Sequence, residues 1–194
     1  MERGGNAGIK QTLMKTTYTL LALLLLLTGS AHSQKYTTKT GNLKFEASVP
    51  SFEEVAADNK TASAALETST GELAVLALMK GFRFKVALME EHFNESYAET
   101  DKFPKATFKG KIEGFDASKL NATGKTFTIT GDLTLHGKTK KMTDIATISK
   151  SGNIITVSGN FTVKPQEFGI EIPKMVSKKV AEQVKIVYNL SLSK

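Results

Sequence analysis

Residues 88–108 read LMEEHFNESYAETDKFPKATF, and Glu90, Glu91, His92, Glu95 and Glu99 crowd into them. Carboxylates and an imidazole at this density are the ligand types of a metal centre. A di-metal carboxylate site takes a Glu-x-x-His pair from each of two helices. Here the residue three before His92 is Met89, and the pattern does not recur. Zinc sites draw on several His or Cys, whereas this chain has 3 His and no Cys. No metal is therefore expected. On a helix, Glu91, Glu95 and Glu99 would share one side at i, i+4 and i+8, with Phe93 and Tyr97 paired on another. That is a solvated acidic face opposite an aromatic anchor.

Other chemistry finds little footing. There is no Gly-x-Ser-x-Gly elbow for a nucleophilic serine and no Gly-rich phosphate loop. His136, between Leu135 and Gly137, falls at a hairpin tip and reads as a turn residue. A small enzyme acting on an apolar substrate in the same cavity would need a polar cluster buried in the barrel, with Asp132, His136 and Glu167 the residues whose substitution tests it. Asn-x-Ser/Thr sequons begin at Asn59, Asn94, Asn121, Asn160 and Asn189. They would be glycan acceptors in a eukaryotic secreted chain and chance products of Thr-rich strands in a bacterial one.

The elements that would position these residues come after a distinct N-terminus. Leu20–Leu27 is apolar throughout, but far shorter than the roughly 20 residues of a membrane span. Lys10 and Lys15 precede it and Ala31-His32-Ser33 follows. That order predicts a secretory signal peptide over 1–33, cut before Gln34, with Met14 as an alternative start to Met1. The whole chain carries a formal charge of +7. Removing Glu2, Arg3, Lys10 and Lys15 leaves a mild excess of lysine spread along the remainder. With no aromatic-and-arginine platform, nucleic-acid binding is not expected. The absence of cysteine excludes disulfides, thiol catalysis and an acylated-cysteine anchor. The product is expected to be periplasmic or secreted.

From residue 34 the pattern has period two. Leu43, Phe45, Ala47 and Val49 alternate with polar residues, as do Ala106, Phe108 and Ile112, then Phe127, Ile129, Leu133 and Leu135, then Val184, Ile186, Tyr188, Leu190 and Leu192. Turns at Ser69-Thr70-Gly71, His136-Gly137-Lys138 and residues 150–153 divide strands 61–68, 72–80, 126–135, 139–149 and 154–163. The result is an all-β, antiparallel set of about eight strands, able to form a sandwich or a barrel. Two stretches break the alternation and are expected as short helices, 86–98 and 174–183. Residues 72–80 are apolar on both faces, and the first helix is expected to cover their outer side.

LMEEHFNESYAETDKFPKATFKGKI (88–112), FTITGDLTLHGKTKKM (127–142), FTVKPQEFGI (161–170) and VKIVYNLSL (184–192) together resemble the YceI-like family. The resemblance covers 34–194 and implies one lipocalin-like barrel domain holding a polyisoprenoid or similar long-chain lipid in an elongated channel. It implies no catalytic residues and no cofactor. Many relatives carry Arg-Asp-x-His-Leu-Arg where this chain has ALMEEHFN (87–94), so a base suited to an anionic head is missing there. Eleven Phe supply apolar surface, among them Phe45, Phe82, Phe84 and Phe127. The residues expected to touch the lipid are Phe93, Tyr97, Phe108, Leu133, Phe161 and Tyr188. Transient contact with a membrane surface and a homodimer are both compatible with this reading. The rival to it is a solid core whose lysine-bearing face binds another protein.

Overall fold

The computed structural model describes residues 34–194, and the predicted signal peptide over 1–33 lies outside them. Alternation is realised as long strands: β1 (Lys35–Ser48), β2 (Ala56–Glu67), β3 (Glu72–Leu78), β5 (Lys105–Ile112), β6 (Lys125–Leu135), β7 (Lys138–Ser151), β8 (Ile154–Val163) and β9 (Val180–Ser193). A two-residue strand, β4 (Arg83–Phe84), sits beside β2, and one α-helix, α1 (Ala87–His92), follows it. The long strands run β1-β9-β8-β7-β6-β5-β3-β2, and the pairing of β2 with β1 closes the ring. Every pairing is antiparallel, so the fold is an eight-stranded lipocalin-like barrel. Closure pairs the two outermost long strands with each other and so removes the outer edges of the sheet.

The two ends of the barrel differ. Tyr36, Leu66, Ile112, Ile148, Ile155, Val157, Leu190 and Leu192 are almost wholly buried. They come from the start of β1, β8 and the end of β2, β5, β7 and β9, which antiparallel pairing gathers at one end. There the inner faces meet as a solid plug. At the other end the corresponding inward positions include Phe45, Ala106 and Phe161, which remain only partly buried. The core is filled at one end and hollow at the other.

One seam in the wall is open. β7 pairs with β6 from Lys138 to Ile148, and β8 pairs with β9 from Ile154 to Val163. β7 and β8 pair with each other only between Thr147–Ser151 and Ile154–Ser158. Beyond that point the two strands part.

Two expectations are corrected. Residues 174–179 form turns, with Pro173 O accepting from Val176 N and Ser177 N, and Val180–Gln183 belong to β9. Val176, Ser177 and Val180 are weak helix formers, while Val180 and Val184 are claimed by Ser48 and Val163 across the sheet. The first helix does exist, but it does not cover β3: Ala74 and Leu78 on the outer face are exposed. It sits instead at the hollow end.

Candidate functional site

The hollow end holds a cavity of about 350 Å³, within the range of roughly 300–1,000 Å³ typical of small-molecule sites. Its inner wall includes Leu43, Phe45, Ala77, Ala106, Leu133, Leu135, Phe161 and Ile186. Three connections frame its mouth: Phe52–Val55, the α1 segment with Met89, His92, Phe93 and Tyr97, and the chain from Ile170 to Lys179. After His92 the helix widens, so that Ala98 N donates to Phe93 O. This single π-turn keeps both Phe93 and Tyr97 on the cavity side, a device common at functional sites. Phe93 packs against Phe45, Phe82 and Phe84 at centroid distances of 5.9, 5.9 and 5.2 Å. Glu90 fastens the helix to β4, pairing with Arg83 and accepting from Phe84 N at 3.1 Å.

A second cavity of about 100 Å³ lies deeper, lined by Val75, Phe108, Ile129, Met142, Asp144, Tyr188 and Leu190 among others. Leu43, Ala77, Ala106, Leu133 and Phe161 line both cavities, so the two adjoin and together give the barrel an elongated, channel-like interior. Gly110 and Gly131 face each other across β5 and β6. A Cβ on Gly131 would stand 2.4 Å from Gly110 Cα and 2.7 Å from Phe108 Cζ. The absence of two side chains lets the Phe108 ring lie along the wall instead of across the lumen.

At the deep end stands a polar pair. Tyr188 Oη donates to Asp144 Oδ2 at 2.6 Å. Tyr188 lies on β9 and Asp144 on β7, so the bond crosses β8 at Gly159, where a Cβ would be 2.4 Å from the hydroxyl. It spans the open seam with a side-chain bond where a backbone ladder is missing. Burial, and then the bond to Asp144, hold the tyrosine's pKa well above its ordinary range, so it stays a donor.

All six residues expected to touch a lipid line this channel: Phe93 and Tyr97 the upper cavity, Phe108 and Tyr188 the lower, Leu133 and Phe161 both. Residues 88–108 are thus an aromatic mouth with an acidic exterior. Glu99 leaves the face expected for it with Glu91 and Glu95, because the α-helix ends at His92 and Glu99 adopts φ 43°. It turns instead to His136. Among the described residues, no three His, Asp or Glu side chains are grouped to hold a metal ion.

Asp132, His136 and Glu167 do not come together in the cavity. Asp132 is exposed on the outer face opposite Lys141. His136 occupies the β6–β7 turn, its ring 4.1 Å from that of Phe103, with Nε2 2.9 Å from Glu99 Oε2 and Nδ1 3.2 Å from Phe168 O. Glu167 pairs with Lys140 at 3.3 Å. Asn59, one of the sequon residues, is fully buried and bonded to Leu78 O and to Thr61. Sequence reasoning missed Asp144, although it shares β7's inward phase with Met142, Ala146 and Ile148.

The model of the YceI-like domain matches residues 29–192. The chain belongs to the YceI-like family. The fold agrees with solved relatives. A polyisoprenoid-binding domain from Saccharophagus degradans, implicated in plant cell wall breakdown, superposes with a TM-score of 0.69 at 15% identity, covering 83% of this chain and 98% of that one. BcnA of Burkholderia cenocepacia gives 0.64 at 18% identity, covering 79% and 96%. The YceI protein of Campylobacter jejuni gives 0.56 at 17%, covering 75% and 90%. At such identities the likeness is one of fold. No curated protein matches the chain. What distinguishes this YceI-like barrel is read from its own channel.

Proposed function

We propose that this YceI-like protein is an exported, non-catalytic carrier that holds a polyisoprenoid or similar long-chain lipid in its channel. The observation that carries the reading is that two mostly apolar cavities adjoin, sharing five lining residues, with the upper one ending at a mouth framed by Phe52, Met89 and Val176. A tapering apolar tube fits an alkyl or isoprenoid chain, and each methylene withdrawn from water stabilises the complex by about 0.8 kcal/mol. Ordering the flexible chain offsets part of that gain. The likeness in fold to the polyisoprenoid-binding domain of Saccharophagus degradans supports the same reading. Export rests on the apolar run at 20–27 and the small residues before Gln34. The non-catalytic reading is supported by the separation of Asp132, His136 and Glu167. The test is organic extraction of protein purified from its native host, followed by mass spectrometry. A long-chain lipid near one equivalent is the expected result; repeated preparations without any lipid would sink the proposal.

A further inference from the structure

The deep end of the channel is not uniformly apolar, and its polarity is one-sided. Met142, Phe161, Ile129 and Leu43 surround Asp144 and Tyr188. Just beyond them Ala146 and Leu190 belong to the closed plug, so the pair stands at the channel floor. The tyrosine's only proton is already given to Asp144 Oδ2. That bond is the only side-chain hydrogen bond Asp144 makes among the described residues. Its carboxylate, half-buried, lines the lower cavity among mostly apolar side chains. No lysine or arginine lines this lower cavity; Lys179 lines only the upper one, at the mouth. Thr107, the remaining polar residue of the lining, belongs to the outward-facing set of β5.

We infer that Asp144, held by Tyr188, is a recognition point for the buried end of the lipid and selects a neutral hydroxyl over a phosphate or carboxylate. This rests on the lipid-binding reading above and adds which chain end is taken and how far it travels. A hydroxyl reaching the floor donates to the second carboxylate oxygen, and a charge-assisted hydrogen bond is the strong kind. An anionic end would meet a carboxylate of like sign with no lysine or arginine lining the lower cavity, and like charges repel. A plain hydrocarbon would bury the acceptor and leave it without a donor, which also costs. The lipid therefore enters hydroxyl-first, with its tail toward the aromatic mouth.

The experiment is displacement of a bound fluorescent polyene lipid by four C20 isoprenoids with one skeleton: the alcohol, the monophosphate, the carboxylic acid and the hydrocarbon. On the native chain the alcohol is expected to bind about tenfold or more tighter than each of the other three. Asp144→Asn keeps the shape and an acceptor for Tyr188, and is expected to bring the alcohol and the phosphate within about threefold of each other. Equal or tighter binding of the phosphate or the acid to the native chain would overturn the inference, whatever the variants do. So would a folded D144N protein with the native preference, since the pair would then be only a staple across the seam. Equal binding of hydrocarbon and alcohol sinks this inference while leaving lipid binding intact. Failure of all four to displace the probe sinks both.

Discussion

His136 Nε2 donates to Glu99 Oε2 across 2.9 Å, joining the β6–β7 turn to the segment that follows the mouth helix. On the other side of the ring, Nδ1 faces Phe168 O at 3.2 Å, in the connection after β8. Both partners are acceptors, so the ring makes both bonds only as the imidazolium. With the Phe103 ring against it, His136 clasps three connections at the hollow end. His136→Ala is expected to lower stability by about 1–3 kcal/mol through lost bonds and packing. Urea unfolding measures it.

The clasp should also respond to acid. Lys102 first, and then His136, hold the Glu99 carboxyl below its ordinary range. A group depressed in the folded state adds stability above its unfolded pKa and loses it as pH falls through the folded one. The melting temperature of Glu99→Gln is therefore expected to lie below that of the native chain near neutrality. The gap should close as pH drops below the usual glutamate range. A gap that is constant from neutral pH down to acid would refute the assignment.

Phe93 meets three other rings, which makes the mouth a packed aromatic lid. Its truncation to alanine removes those contacts and widens the entrance. Because the site already borders a void, the cost is expected at about 2–4 kcal/mol, near or below the usual range for a buried Phe. Faster lipid release than in the native protein, followed by stopped-flow transfer to vesicles, is the accompanying functional sign.

Gly131→Ala tests how the channel is kept open. The new methyl would collide with Gly110 Cα and the Phe108 ring, so either the strands separate or the ring swings into the lumen. A stability loss of about 1–3 kcal/mol is expected from the overpacking. Reduced lipid capacity should accompany it, read by titration with the fluorescent polyene. Native-like values for both would show that the glycine pair has no part in shaping the wall.

Much of this was legible in the chain, and the gaps have physical causes. Alternation marked the inward set correctly for Phe108, Leu133 and Tyr188, because a half-buried strand can satisfy its two faces in only one phase. It could not say whether that face encloses space, since Ile148 and Phe161 obey the same rule while one is sealed in the plug and the other lines a void. The 174–183 helix failed because strand pairing with Ser48 and Val163 outweighs a weak local preference. The partners of His136 lie at Glu99 and Phe168, 37 and 32 residues away, where no local pattern reaches. Nothing in the alternation separates Asp144 from the threonines beside it on β7, and only the bond to Tyr188 singles it out.

Ala106 stands where the two cavities meet, small and only partly buried, with its side chain on the inner face between Lys105 and Thr107. Replacing it with phenylalanine puts a ring into that junction while leaving the mouth and the floor unchanged. A ligand confined to the upper cavity loses little, whereas one that threads to the floor loses every methylene beyond the block, about 0.8 kcal/mol each. Ala106→Phe is therefore expected to bind a C10 isoprenoid hydrocarbon, which has no hydroxyl to draw it to the floor, nearly as well as the native chain and a C20 alcohol at least tenfold more weakly. Thermal unfolding identifies a variant that has merely lost its fold. Equal weakening at both lengths in a folded variant would mean that the cavities are not threaded in series by one chain.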